Sequence, residues 1–240
     1  MRLLRPCGAR NDVAVGLAMT RYDLIIFDLD GTLVDSAPDI AASANWVMRR
    51  TGYPERPLAE VKHAIGRGVH ELLIELSGVP GAGKPPLAGD ALERACEIYR
   101  DHYAENLVVY SRVFEGVSRV LRGPLASMPK AIVTNKPHAL TGRLMTELKF
   151  EGLFDPVIGT GWKYPAKPAK DGVEAAMARH GAAADRTILI GDSEIDRLTA
   201  VNAGIAFGWV TYGYDTVTRD GSFRVFDNPE EWEELAHGNV

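Results

Sequence analysis

Cysteine is scarce in this sequence, and long apolar runs are missing from it. Cys7 and Cys96 are the only cysteines among 240 residues, too few for a disulfide framework or for a zinc site built from cysteine pairs. No stretch approaches the ~18 consecutive apolar residues that are typical of a membrane-spanning helix. We therefore expect a protein of a reducing compartment, the cytoplasm, that has no membrane partner.

Basic residues are also too few to dominate the surface. Lysine and arginine number 27 against 32 aspartates and glutamates, which gives a formal net charge of -5 at pH 7. Such a balance, with charges of both signs interspersed, excludes a nucleic-acid-binding protein that relies on a broad basic surface. A hydrophobic share of 46% is ordinary for a globular protein, and the length allows one large domain or two modest ones.

The first nineteen residues differ from the rest of the chain. Three arginines precede the short apolar run 13–18, a pattern that faintly resembles a signal peptide. Because the run is short and Asp12 stands directly before it, we prefer two other interpretations. Residues 1–19 either form a flexible N-terminal extension or precede a true initiator at Met19, and in both cases the function does not depend on them.

Short apolar runs recur along the chain from residue 24 onward, separated by stretches with helical periodicity. Runs that are apolar on both faces are typical of buried parallel strands. The predicted strands are 24–27, 131–133, 157–158, 187–190 and 206–210, and helices are predicted at 139–148 and 172–180. This alternation predicts an α/β fold with a doubly wound, mostly parallel, Rossmann-like sheet.

One long segment contains helix signals and no convincing strand. Ile40, Ala44, Val47 and Met48 fall on one face of a helix, and a Pro- and Gly-rich loop follows at 80–89. The simplest interpretation is a small helical cap domain inserted after the first strand. We place this cap at 37–109 and the catalytic core at 20–36 and 110–240.

Candidate catalytic residues follow the predicted strands, beyond whose carboxyl ends an open parallel sheet binds its ligands. Asp28 and Asp30 lie in an Asp-Leu-Asp-Gly-Thr segment at the end of the first strand, which is also a plain Asp- and Gly-rich turn. Carboxylates at a buried strand end need a compensating charge, and Mg²⁺ binds such oxygens. Asp28 can then attack phosphorus to form an aspartyl-phosphate, while Asp30 exchanges protons with the leaving group and with water.

Later strand ends add groups that suit a bound phosphate. Thr134 and Asn135 can offer a hydroxyl and backbone amides to phosphate oxygens, although this pair is also a common helix cap. Lys167, in the loop before the fourth strand, can neutralise phosphate charge, although a solvated loop lysine is the simpler interpretation of Lys-Pro alone. Asp192 ends a strand, and Asp196 lies four residues on, on the same face of the helix that follows.

Taken together, these segments resemble the haloacid dehalogenase superfamily of phosphohydrolases. The resemblance extends from about residue 22 to residue 214 and implies an Mg²⁺-dependent phosphatase. It implies that Asp28 is the nucleophile and Asp30 the acid/base, and that the metal is held by Asp28, by the backbone carbonyl of Asp30 and by Asp192. It also implies that phosphate is bound by Thr134, with Asn135 and Lys167, and that Asp196 supports the ligands.

Within that superfamily the chain is most similar to phosphoglycolate phosphatases, which implies hydrolysis of 2-phosphoglycolate to glycolate and phosphate. The similarity rests on the segments 65–68, 114–117, 191–204 and 209–214. Relatives that act on pyrophosphate, nucleotides or sugar phosphates share most of these segments. In many members the lysine motif reads Lys-Pro-x-Pro, whereas in this chain the motif that begins at Lys167 has Lys170 at its last position. Lys163 and Lys170 are therefore alternatives to Lys167.

Three other functions are open alternatives. The segment 78–84 matches a nucleotide-binding P-loop up to the position where Ser or Thr is required, but Pro85 stands there. A 2-haloacid dehalogenase would use the same nucleophile on carbon, without needing Asp30 or Asp192. A phospho-acceptor signalling module combines similar residues, although a cap that closes over a small substrate argues for an enzyme.

Substrate choice must come from outside the phosphate site. Arg67 lies between two glycines in the predicted cap, and a guanidinium can hold a carboxylate with two parallel hydrogen bonds. We therefore predict that Arg67 helps to select the substrate, although an exposed surface arginine is an equal alternative. The expected partner is a small phosphorylated metabolite, and we expect a monomer or a homodimer.

Overall fold

The structure, a computed structural model, describes residues 22–236. The extension predicted at 1–19 lies outside the described residues. Within them the strands are β1 (Leu24–Phe27), β2 (Val34–Asp35), β3 (Arg112–Val113), β4 (Lys130–Pro137), β5 (Val157–Thr160), β6 (Thr187–Gly191), β7 (Ala206–Val210) and β8 (Arg224–Phe226). The α-helices are α1 (Ala37–Thr51), α2 (Leu58–Ala64), α3 (Val69–Gly78), α4 (Gly89–Glu105), α5 (Val117–Arg122), α6 (His138–Glu147), α7 (Asp171–His180) and α8 (Glu194–Ala203).

Six strands form one parallel sheet in the order β5-β4-β1-β6-β7-β8. The central strand β1 is buried along its whole length. Its side chains alternate between two apolar cores, with Ile25 and Phe27 in one and Leu24 and Ile26 in the other. This double burial explains why the strand is a continuous apolar run in the sequence, and the predicted doubly wound α/β fold is confirmed.

The edge strand β8 was not predicted from the sequence. It pairs in parallel with β7, and of its three residues only Phe226 is buried. One buried side chain in a three-residue strand leaves no periodicity to detect, because the strand is recognised by its backbone pairing rather than by its residues.

A second sheet consists of β2 and β3, which pair in antiparallel orientation. These strands belong to the two chain segments that connect the helical segment to the rest of the chain. Asp39 in the first turn of α1 reinforces this junction. Its buried carboxylate accepts hydrogen bonds from the backbone N–H groups of 109–111, at 2.8 to 3.0 Å. Both ends of the helical segment are therefore held side by side.

Between these connections, residues 37–105 form the four helices α1 to α4 and no strand. α1 packs against α2 and α4. One apolar core runs from these helices into the sheet and includes Met48, Leu73 and Tyr103 together with Phe27. The division of the chain into a cap and a core at the stated boundaries stays a prediction.

The loop that resembles a P-loop has a structural role. The Lys84 ammonium donates a hydrogen bond to the backbone carbonyl of Thr51, in the last turn of α1, and lies 3.9 Å from the centre of the Tyr53 ring. A cation at this position stabilises the negative end of the helix dipole. In this conformation the lysine binds a helix end and is not among the residues that line the cavity described below.

None of the helices within residues 22–236 combines the length and the apolar character that crossing a membrane would require.

Candidate active site

Three adjacent strands deliver the predicted residues to one edge of the sheet. Asp28 follows β1, Asp192 follows β6, and Thr134 lies in the second half of β4, three residues before its last residue. Because β4, β1 and β6 are neighbours and run in parallel, their carboxyl ends meet. All three side chains belong to buried residues, so the site is formed at the base of a covered cleft.

Three carboxylates converge there on one lysine. Asp28, Asp192 and Asp196 each place an oxygen within 4.8 Å of the others. The ammonium of Lys167 lies 2.8 Å from Asp28 Oδ1 and 2.5 Å from Asp196 Oδ1. Three acids against one base leave an excess of buried negative charge, which is costly unless a further cation offsets it.

The pKa values of these groups reflect that imbalance. Burial raises the pKa of Asp28 to about 6; Lys167 opposes this shift, and Asp196 adds to it. Burial and the charges of Asp196 and Asp28 raise the pKa of Asp192 well above its ordinary value. Burial alone would lower the pKa of Lys167, but the two carboxylates outweigh it and raise that pKa. The lysine is therefore held in its charged form.

Asp28 and Asp192 both have an oxygen available to a metal ion. Asp28 Oδ1 is buried and lies 2.8 Å from the Lys167 ammonium, and no other described residue donates a hydrogen bond to it. Asp192 Oδ2 accepts a bond from the Tyr214 N–H at 2.7 Å, while Oδ1 has only a long contact of 3.4 Å with Thr32. Carboxylate oxygens of this kind fit Mg²⁺.

Asp196 is occupied on both oxygens. Oδ1 pairs with Lys167, and Oδ2 accepts bonds from the N–H and hydroxyl of Ser193 at 3.1 and 2.6 Å. The Ser193 hydroxyl is also the acceptor that caps α8, so the two residues form a reciprocal capping box. Asp196 therefore fixes Lys167 and the start of α8, and its role in supporting the metal ligands stays a prediction.

Two glycines provide the space that the Asp192 side chain occupies. A Cβ on Gly31 would lie 2.2 Å from Asp192 Oδ2, and a Cβ on Gly213 would lie 2.1 Å from Asp192 Cβ. Both distances are far inside van der Waals contact. The carboxylate is thus held in a slot that only glycine permits on either side.

Tyr214 connects this slot to the helical segment. Its backbone N–H binds Asp192, while its hydroxyl oxygen accepts bonds from the N–H groups of Ser36 and Ala37 at 2.7 and 2.9 Å. The hydroxyl also lies 3.0 Å from Asp35 Oδ1. One residue therefore contacts both the acidic cluster and the first connection to the cap helices.

Of the three candidate lysines, Lys167 alone is at the acidic cluster. Lys163 is exposed, with its ammonium over the Tyr164 ring, and Lys170 forms a surface ion pair with Glu174. Lys167 is held by its backbone as well, because its N–H donates to the side chain of Asn135 at 2.7 Å. Lys167, the lysine that precedes a proline, therefore remains the predicted site lysine.

The side chain of Asn135 joins two loops, and the predicted contact of this residue with phosphate stays a prediction. Its side-chain amide donates to the backbone carbonyls of Gly66 and Lys167 at 2.9 and 3.0 Å. Both side-chain donors are therefore engaged in joining the cap loop to the lysine loop. Thr134 remains the side chain with a hydrogen to offer, because its hydroxyl oxygen accepts from the Lys136 N–H while its proton has no assigned acceptor.

Asp30 is surrounded by two groups that the sequence analysis did not single out. The buried ammonium of Lys136 lies 2.9 and 3.1 Å from the two carboxylate oxygens of Asp30. It also donates to the hydroxyl of Tyr103, in α4, at 2.6 Å. Ser36 donates to the same carboxylate at 2.5 Å. A lysine directly after Thr134 and Asn135, in a strand whose first seven residues are all buried, was the available signal for this contact.

A cavity of about 50 Å³ opens over these groups, enough for a few water molecules and thus for a compact substrate. Its polar floor includes Asp28, Asp30 and Lys136, and its roof includes apolar residues of the cap helices such as Val69 and Leu72. Gly66 and Gly68 line it, but Arg67 between them is exposed and is not part of the lining. The predicted role of Arg67 stays a prediction.

We expect Gly213→Ala to reduce kcat/KM about a hundredfold, since displacing a site residue by about 1 Å costs that much. The new methyl group would overlap the Asp192 side chain. The matched control is Gly142→Ala in α6, where nothing lies within 4 Å. Steady-state kinetics of both variants test this, and equal kcat/KM for Gly213→Ala and wild type would contradict the importance of the slot.

Comparisons with known proteins agree with this geometry. Residues 25–210 match the family model of haloacid dehalogenase-like hydrolases. A phosphoglycolate phosphatase of Caulobacter vibrioides is 35% identical over 81% of this chain and 83% of its own length. One from Vibrio parahaemolyticus is 32% identical over 82% of this chain and 88% of its own.

A solved structure shows the same architecture. The crystal structure of a predicted phosphoglycolate phosphatase from Haemophilus somnus superposes with a TM-score of 0.82 at 28% identity, over 92% of this chain and all of the other. The family match spans the strands that carry Asp28, Thr134 and Asp192. The chain therefore belongs to the haloacid dehalogenase-like hydrolase family.

Proposed function

We propose that this phosphatase hydrolyses 2-phosphoglycolate to glycolate and phosphate, with Mg²⁺ as its cofactor. The observation that carries the mechanism is the buried Asp28 carboxylate, which lines the cavity and has the Lys167 ammonium as its one side-chain partner among the described residues, 2.8 Å from Oδ1. The names of the two relatives support the choice of substrate. A cytoplasmic location and a monomeric or homodimeric state remain predictions from the sequence.

The metal would be held by the carboxylates of Asp28 and Asp192 and by the backbone carbonyl of Asp30. When bound, Mg²⁺ supplies positive charge that offsets the acidic cluster and the phosphate oxygens. Lys167 adds a fixed positive charge next to the nucleophile, and the Thr134 hydroxyl donates to a phosphate oxygen. These groups lie in position before the substrate binds, which is the condition for electrostatic stabilisation of a transition state.

The reaction proceeds in two displacements at phosphorus. In the first, a carboxylate oxygen of Asp28 forms a bond to phosphorus while the bond to the glycolate oxygen breaks, and Asp30 gives its proton to that oxygen. In the second, Asp30 takes a proton from a water molecule whose oxygen attacks the same phosphorus. The bond to Asp28 then breaks, which releases phosphate and restores the free carboxylate.

A substrate panel tests this proposal. Purified enzyme with Mg²⁺ is assayed for phosphate release from 2-phosphoglycolate, pyrophosphate, a nucleoside monophosphate and a sugar phosphate. We expect kcat/KM to be highest for 2-phosphoglycolate by at least about tenfold, a difference that one specific contact can supply. A higher value for another phosphate ester would reassign the substrate within the same reaction.

Two further outcomes would reject the reaction itself. Chloride release from 2-chloropropionate without phosphatase activity would identify a dehalogenase, which displaces halide from carbon with the same nucleophile. A phosphorylated protein that persists for minutes, detected by intact mass spectrometry, would identify a phospho-acceptor module. Rapid turnover on a phosphate ester excludes both.

A further inference from the structure

Lys136 is the single cationic side chain among the described residues that line the cavity. Lys136 is a buried residue, and its side chain is only 2% exposed. Lys167 lies below the cavity, where Asp28 and Asp196 bind it, and Arg67 is exposed. A second negative group on a substrate, in addition to its phosphate, therefore meets one fixed positive charge in the cavity.

The ammonium can bind such a group by exchanging one of its present contacts. A lysine ammonium has three N–H donors. The two carboxylate oxygens of Asp30 accept from it at 2.9 and 3.1 Å, and the Tyr103 hydroxyl accepts at 2.6 Å. These contacts hold the ammonium from the core side and from the cap side, and the longest of them, to Asp30 Oδ2, is the one that a substrate carboxylate would replace. Holding a donor in place in advance lowers the entropic cost of binding.

The position of Asp30 fixes where the leaving group must lie. In the proposed reaction Asp30 protonates the oxygen that links phosphorus to the leaving group, so that oxygen lies within hydrogen-bond reach of its carboxylate. Lys136 touches the same carboxylate. In 2-phosphoglycolate a single methylene separates the linking oxygen from the substrate carboxylate. A short substrate of this kind can therefore contact Asp30 and Lys136 at the same time.

Charge also requires a cation at this place. Once Asp30 has given its proton to the linking oxygen, its carboxylate faces the carboxylate of the departing glycolate, and two such charges repel strongly in a cavity with little water. An ammonium between them converts this repulsion into two charge-assisted hydrogen bonds, which are stronger than neutral ones. A leaving group without a negative charge gains nothing from this arrangement.

We propose that Lys136 selects substrates whose leaving group carries a carboxylate, by binding that carboxylate directly with its ammonium. This inference rests on the proposed function and replaces Arg67 with a residue of the core as the group that distinguishes the substrate. The cap then contributes the Tyr103 hydroxyl that orients the lysine, together with the apolar roof over the cavity.

The test compares two substrates of nearly equal size in each of several variants. The substrates are 2-phosphoglycolate and 2-hydroxyethyl phosphate, in which a neutral hydroxymethyl group replaces the carboxylate. The variants are Lys136→Met, which keeps the length of the side chain but removes its charge, Lys136→Arg, which retains the charge, and Arg67→Met. Lys163→Met, at an exposed position outside the cavity, is the matched control for loss of a lysine.

For Lys136→Met we expect kcat/KM on 2-phosphoglycolate to fall about ten- to a hundredfold more than on the neutral ester, the effect of one charge-assisted hydrogen bond. Lys136→Arg should recover part of the preference for the acid. Arg67→Met and Lys163→Met should leave the ratio of the two kcat/KM values unchanged. The ratio is taken within one variant, so partial misfolding cancels from it.

Equal losses on both substrates in Lys136→Met would overturn the inference and show that Lys136 only positions Asp30. A selective loss in Arg67→Met instead would return substrate selection to the cap. Failure of the proposed function would be recognised separately, because wild type itself would then show no preference for 2-phosphoglycolate over the neutral ester.

Discussion

Asp28→Asn should abolish turnover, with kcat lowered on the order of 10⁴-fold or more, as for other enzymes that lose their nucleophile. The amide has nearly the shape of the carboxylate, but it cannot form the covalent bond to phosphorus and is a poorer metal ligand. The measurement is phosphate release in single-turnover and steady-state assays. Activity above a tenth of wild type would remove Asp28 from the role of nucleophile.

The fold should survive this substitution. Burial raises the pKa of Asp28 to about 6, which means that the folded protein disfavours the charged form relative to the unfolded chain. Removing the charge should therefore not lower the melting temperature in metal-free buffer near pH 7. Asp185→Asn, at an exposed position before β6, is the control and should retain wild-type kcat. A melting temperature far below that of wild type would mean that the lost activity reports misfolding.

Removal of the metal should have an effect of similar size. We expect excess chelator to reduce kcat/KM at least about a thousandfold and added Mg²⁺ to restore it, because a metal ion contributes several kcal/mol to stabilising charge in the transition state. The acidic cluster has three carboxylates and one lysine, so it cannot bind a phosphate without a further cation. Full activity in chelator would favour the dehalogenase reaction.

Two aspartates can be distinguished by the same measurement. Asp192 has an oxygen with only a long contact, whereas both oxygens of Asp196 are engaged by Lys167 and Ser193. Asp192→Asn should therefore weaken Mg²⁺ binding, measured directly by calorimetry. Asp196→Asn should lower the melting temperature through the loss of the Lys167 pair and the α8 cap. A larger loss of Mg²⁺ affinity in Asp196→Asn would exchange these roles.

Much of the fold could be predicted because the central strands are buried on both faces. The run at 24–27 is apolar throughout, and each of its side chains enters one of two cores. β8 escaped prediction because a single side chain, Phe226, is buried in it. The sequence therefore predicts a strand only where several of its side chains are buried, because burial is what makes the pattern of residues apolar.

In the site, the position of the motif residues could be predicted, but some of their side-chain contacts could not. Strand ends predicted that Asp28, Thr134 and Asp192 would meet, because parallel topology brings those ends together. The link from Asp30 through Lys136 to Tyr103 could not be predicted, since Tyr103 is distant in the sequence and its helical spacing indicates only an apolar face. Side-chain pairs between a cap helix and a strand depend on how the two are docked, which no local pattern encodes.

The slot around Asp192 has a consequence for biosynthesis. Gly213 and Tyr214, which complete the slot, are synthesised after Asp28 and Asp192. A growing chain that has already formed β1, β4 and β6 still lacks the N–H group that fixes Asp192. The complete site therefore forms only after residue 214 has been synthesised, and a product that terminates before this residue has the motifs without the complete site.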